Sequence, residues 1–175
     1  MARAELGGDA PCGKTVSLVG DLKNGRTVHS LAMLLSRGDF QGLRLSYISP
    51  PELRMPDYIK QHISMTCKGS VEQAESSSLA EALPQADVVY VTRVQKERFE
   101  NEADYEKVKG VYVLTSALLK AHAKEKMAVL HPLPRVDEIA TDCDDDPRAA
   151  YFRQMRNGMY VRMALLGLVL GVPPP

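Results

Sequence analysis

At 175 residues the chain is long enough for one full-sized domain with a substantial core, and 45% apolar with 25% charged residues is the composition of a globular protein, not a disordered one. Lys plus Arg and Asp plus Glu balance at 22 each, so no global basic field exists to hold a nucleic-acid backbone, and any anion site must be local. Three separated cysteines (Cys12, Cys67, Cys143) fit neither a disulfide framework nor a CxxC metal or redox motif and predict a reducing, cytoplasmic setting, while the longest apolar run, residues 163–172, is too short to span a bilayer; no metal, cofactor or membrane partner is expected.

Strands and helices alternate along the chain. "KTVSLVGD" reads as a buried strand, and "LKNGRTVHSLAMLLSRG" as a glycine turn opening a helix that ends near Gly38. A strand over 43–48 follows, then a loop carrying Pro50, Pro51 and Pro56, a short helix over 57–63, a weak strand near 71–75 and a helix near 78–83. "ADVVYVTR" is a second strongly apolar strand; "GVYVLT" gives a short extended piece, "SALLKAHA" a helix and "KMAVLH" a further strand. This order predicts an α/β fold of three layers: a doubly wound, mostly parallel, Rossmann-like sheet with helices on both faces and a long C-terminal helix. The last helix is expected to open at Pro147 with Asp146 as its N-cap, and Asp142, Asp144, Asp145 and Asp146 to face the positive end of its dipole. The same acidic run lacks the glycine and terminal glutamate of a calcium loop. From Phe152 through Met155, Met159, Met163 and Leu166 to Leu170, spacings of three and four draw an apolar stripe longer than so small a sheet can cover.

Chemistry collects just past the apolar strands, in "GDLKNGR" ending at Arg26, "TRVQKER" starting at Thr92 and "HPLPR" starting at His131. In an open parallel sheet all carboxyl ends lie on one edge, so these clusters can converge where doubly wound folds bind ligands. Arg26 and Arg93 are candidates for gripping an anion, since a planar guanidinium can hold a carboxylate bidentately. Pro132 and Pro134 stiffen "HPLPR" and remove two N–H donors; this is either a strand-terminating turn or a backbone-carbonyl ligand site. GxGxxG is absent, so the glycine turn is no dinucleotide fingerprint.

"VGDLKNGRTVHSLAMLL", "VVYVTRVQKERF", "VLHPLPRVDEIATD" and "DPRAAYFRQMRNGMYVRMALL" together resemble the aspartate-binding half of aspartate transcarbamoylase, over about residues 4–171. "KERF" with "DPRAAYFRQM" is most similar to the eukaryotic forms fused to other pyrimidine enzymes. The resemblance implies transfer of the carbamoyl group of carbamoyl phosphate to L-aspartate, with Arg26, Arg93 and Gln95 contacting aspartate. It also implies that carbonyls around Pro132, Leu133 and Pro134 meet the carbamoyl and amino groups. His131, Glu97 and Arg135 are supporting residues: His131 structural, Glu97 and Asp137 orienting arginines.

The resemblance further implies a homotrimer within a larger fusion. The carbamoyl-phosphate half, with its Ser-Thr-Arg-Thr loop, has no counterpart here, so catalysis is expected to need that missing partner domain. Residues 1–13 read as the remnant of an inter-domain helix and linker, and 14–175 as the aspartate-binding domain. Two other readings stand beside this one. An ornithine transcarbamoylase half would carry His-Cys-Leu-Pro in place of His-Pro-Leu-Pro, and a non-catalytic module could bind an acidic metabolite or dock through the long helix.

Overall fold

The computed structural model describes residues 11–38, 40–67 and 70–171. The reading of residues 1–13 as a linker falls mostly on 1–10, outside the described residues. Five strands, β1 (Thr15–Gly20), β2 (Arg44–Ile48), β3 (Glu72–Ser76), β4 (Val88–Thr92) and β5 (Ala128–Leu130), form one sheet of order β3-β2-β1-β4-β5. Every pairing between them is parallel. The expected mostly parallel, doubly wound sheet is therefore present.

β4 and β5 read as continuous apolar runs and β1 nearly so because both faces of the sheet are covered there, whereas the edge strand β3, EQAES, has no buried residue. On one face Leu18, Leu45, Tyr47, Val88 and Tyr90 meet Val28 and Ala32 of α1 (Arg26–Arg37) and Ile59 and Ile63 of α2 (Asp57–Thr66). On the other, Val19, Ile48, Val89 and Val91 meet Leu79 of α3 (Leu79–Ala82), Leu83 and Leu119 of α5 (Ser116–His122). Adjacent residues such as Leu18 and Val19 thus belong to different cores, as the period of two along a strand requires. Each fully buried side chain of this size contributes roughly 1.5–3 kcal/mol.

One helix was not anticipated, and one expectation is corrected. Helix α4 (Glu102–Val108) gave no apolar periodicity in the sequence, because Val108 is its one buried residue; it begins instead on a capping signal, Asn101 accepting the Asp104 N–H at 2.9 Å. The last helix, α6 (Tyr151–Val169), does not open at Pro147, and Asp146 is not its N-cap. Residues 148–150 run beside β5 instead: the Val129 N–H donates to Arg148 O at 2.8 Å and the Ala150 N–H to Val129 O at 2.9 Å. These sheet-like bonds delay the helix by one turn. Asp146 holds Arg148 through a two-pronged pair, 2.8 Å to Nε and 2.7 Å to Nη2.

The expectation for the apolar stripe matches the structure, since Tyr151 is the buried residue of α6 and Met155, Met159, Met163, Leu166 and Leu170 are all exposed. Among the described residues no helix is long and apolar enough to cross a membrane.

Candidate functional site at the carboxyl edge of the sheet

The chain winds outward from β1 in both directions, so the sheet's switch point lies between β1 and β4. Their last residues, Gly20 and Thr92, are in register. Gly20 has φ +113°, and a Cβ there would overlap the carbonyl oxygen of Thr92, so only glycine lets the two strand ends close up. Just beyond them lies a cavity of about 190 Å³, with Gly20, Thr92, Arg93, Tyr105, Asp137 and Glu138 among the residues around it. The end of β1 and the segments after β2, β4 and β5 therefore share one space at the carboxyl edge.

Arg93 leaves β4 half-buried and donates to Glu97 Oε1 at 2.6 Å, one turn further on. The Glu97 carboxyl lies below its ordinary value, first because its own backbone N–H donates to it and then, against some desolvation, because of the Arg93 guanidinium. Glu97 is thus the acid paired with Arg93. Gln95 is half-buried and caps the 3₁₀ turn Lys96–Arg98 with its carbonyl, at 3.0 Å from the Arg98 N–H.

The loop after β1 is built on Asp21, fully buried, whose carboxylate accepts the Asn24 N–H at 2.9 Å and the Asn24 side-chain amide at 3.1 Å. This turn delivers Arg26 to the first position of α1, where it is exposed. Arg26 lies beside His29, Tyr58 and His62 in a shallow groove, not in the cavity that Arg93 lines.

The "HPLPR" loop follows β5 directly, and Pro132, Leu133 and Pro134 stand outside the cavity's own lining. Leu133 has φ +53°, in the left-handed region that costs a branched side chain on the order of 1–2 kcal/mol, and the Leu133–Pro134 peptide is cis. The conformation is over-determined from three sides. The His131 N–H donates to Gln154 Oε1 of α6 at 2.9 Å, and the Leu133 N–H donates to His131 Nδ1 at 2.8 Å. Arg135 makes a forked pair with Asp144, 2.6 Å for its Nη2–Oδ2 arm, and stacks 5.5 Å over the Tyr151 ring, whose hydroxyl also donates to Asp144 at 2.6 Å. Those donors hold the Asp144 carboxyl below its ordinary value, Arg135 first and Tyr151 second.

His131 is buried, and its Nε2 lies 2.8 Å from Glu138 Oε1. Burial alone would raise the Glu138 carboxyl. Hydrogen bonds from the imidazole, its own backbone and the Val136 N–H outweigh that, and the net shift is downward. The partner of Arg135 is Asp144, not Asp137, and the carboxylate on His131 is Glu138. Sequence reading missed Glu138, Asp144 and Gln154. A loop has no periodicity to show which of two adjacent acids turns inward, and Gln154 looked like any polar helix residue.

Comparison with known proteins agrees with this geometry. The family profile described as "Aspartate/ornithine carbamoyltransferase, Asp/Orn binding domain" matches residues 12–169. The chain is 52% identical over 169 residues to the multifunctional protein CAD of Squalus acanthias, covering 97% of this chain and 7% of that protein. To the aspartate carbamoyltransferase catalytic subunit of Clostridium perfringens (strain SM101 / Type A) it is 52% identical over 159 residues, 91% of this chain and 50% of that one. Among solved structures, aspartate transcarbamoylase from Trypanosoma cruzi in complex with carbamoyl phosphate and aspartate superposes with a TM-score of 0.84 at 42% identity, over 94% of this chain and 52% of that one. The chain thus spans about half the length of the single-enzyme relatives and a small part of the multifunctional ones. With the profile running nearly end to end and the switch-point site in place, this chain belongs to the aspartate/ornithine carbamoyltransferase family, in which it corresponds to the Asp/Orn binding domain.

Proposed function

We propose that this chain is the amino-acid-binding half of an aspartate carbamoyltransferase acting in de novo pyrimidine (UMP) synthesis in the cytoplasm. The carbamoyl-phosphate half is supplied by a further domain, within a homotrimer that forms part of a multifunctional protein. In the reaction the amine of L-aspartate attacks the carbamoyl carbon, a C–N bond forms, the C–O bond to phosphate breaks with its electron pair, and the amine gives up a proton. Nothing in this requires a cofactor; positioning and charge stabilisation suffice.

In this reading Arg93 grips one carboxylate of aspartate, Gln95 adds a polar contact, and Arg26, which lies outside the cavity here, would have to turn toward it to hold the other. The carbonyls of Pro132, Leu133 and Pro134 accept hydrogen bonds from the attacking amine and the carbamoyl NH₂, while Glu97, His131 and Arg135 support them. The observation that carries the reading is the pinned "HPLPR" loop, which leads into Val136, Asp137 and Glu138 on the wall of the cavity that Arg93 also lines: carbonyls offered there beside a cationic fork would suit a substrate that is both ammonium-derived and anionic.

The test joins this chain to the carbamoyl-phosphate half of the Clostridium perfringens catalytic subunit. The fusion is expected to make N-carbamoyl-L-aspartate, and the 175-residue chain alone to make none. In the fusion Arg93→Lys keeps the charge but loses the two-pronged grip and should cost about 2–4 kcal/mol, read from kcat/KM for aspartate. Turnover by the isolated chain, a preference for ornithine, or an unimpaired lysine variant would overturn the assignment.

A further inference from the structure

The "HPLPR" loop holds a chain of contacts that leads away from the site. Leu133 is in the left-handed region without being glycine, so something must keep it there. Its N–H points at His131 Nδ1, 2.8 Å away. A nitrogen that accepts a hydrogen bond carries no hydrogen, so the ring's hydrogen sits on Nε2, facing Glu138 Oε1 at 2.8 Å. The His131 and Glu138 side chains are 1% and 11% exposed, so water does not compete for either contact. Glu138 is held in turn by the Val136 N–H, 3.2 Å from its Oε2. The chain runs from carboxylate to imidazole to backbone amide.

Resting on the reading that the loop's carbonyls receive the substrates, we propose that Glu138 is a positioning residue. By accepting the Nε2 hydrogen it fixes the His131 tautomer, and that tautomer pins Leu133 in the conformation that aims the Pro132–Pro134 carbonyls. Were the hydrogen on Nδ1, it would confront the Leu133 N–H, and the loop would have to turn. Displacements of about 1 Å at reacting groups can cost on the order of 100-fold in rate, so a contact remote from the substrates can govern kcat.

The distinction between a relay and mere packing can be measured in the same fusion enzyme. Asparagine places its Oδ1 where histidine has Nδ1, so His131→Asn keeps the bond to Leu133 but cannot reach Glu138; His131→Ala loses both. We expect His131→Ala to lower kcat by about 10–100-fold, His131→Asn to restore it to within about threefold of the parent, and Glu138→Gln to lower it by about tenfold. In the His131→Asn background Glu138→Gln should have little further effect on kcat, because its influence runs through the ring. Nitrogen NMR of the imidazole in this 175-residue chain should report hydrogen on Nε2 in the parent and a tautomer shift in Glu138→Gln.

Full activity in Glu138→Gln, additive losses in the double variant, or hydrogen on Nδ1 in the parent would overturn the relay. An inactive parent fusion would count against the functional reading, and the NMR arm would still decide the tautomer.

Discussion

Asp146 shows how a single side chain can be read correctly for charge and wrongly for role. Its position before Pro147 is an N-cap signal, yet the backbone bonds of residues 148–150 to Val129 move the helix start to Tyr151 and leave Asp146 to clamp Arg148. Both partners are largely buried, with side chains 6% and 12% exposed. Asp146→Ala should therefore strand a buried guanidinium and destabilise the fold by about 3–5 kcal/mol, measured by urea unfolding. Loss of well under 1 kcal/mol would show that solvent relieves Arg148. The same carboxylates set the acid limit. Asp146, Asp144 and Glu138 all have folded-state values below their ordinary ones: Arg148 is the chief cause for the first and Arg135 for the second, while for Glu138 burial pulls upward and the His131, backbone and Val136 bonds prevail. A depressed carboxyl adds stability that is complete above its unfolded value and is lost as pH falls through the folded one. The urea midpoint should accordingly be level near neutrality and fall below about pH 4, with Asp146→Asn giving a shallower acid limb. An acid limb of unchanged slope in that variant would remove Asp146 from the account.

At the scale of elements, what the sequence declared were those whose side chains alternate or recur: β1, β4 and α1 stand within a residue or two of their predicted bounds because Leu18, Val89 and Val28 are where a core must be. What it withheld was set by long-range backbone pairing, as at residues 148–150, or had almost nothing to bury, as in α4. The site was legible in the same partial way. Of the three strand-end clusters, the segment after β4 lines the cavity, "GDLKNGR" reaches it only through Gly20, and "HPLPR" reaches it through the residues that follow; which acid faces inward depends on contacts seven to 23 residues apart, such as His131 with Glu138 and Gln154. The close approach of β1 and β4 has its own test. Gly20→Ala would put a methyl against the Thr92 carbonyl at a φ that alanine avoids, and should cost more than about 1 kcal/mol while widening the cavity mouth between the strand ends. A thermal midpoint within a degree or so of the parent's would mean that the two strands part without penalty.

For the whole molecule, α6 is the unbalanced part. Met155, Met163, Leu166, Leu168 and Leu170 are each more than half exposed, and contiguous apolar surface of this kind drives association. The isolated chain should self-associate at high concentration and bind hydrophobic dye, and Leu166→Glu with Leu170→Glu should reduce both; a monomeric, dye-silent parent in sedimentation experiments would contradict this. The rest of the molecule is divided cleanly. Both cores lie on the faces of the sheet, whereas Arg93, Gln95 and the "HPLPR" loop lie past its carboxyl edge. That separation has an evolutionary consequence. Selection can exchange loop residues, and with them the amino acid being held, without repacking the layers beneath, so a single scaffold can be inherited by enzymes that accept side chains of opposite charge.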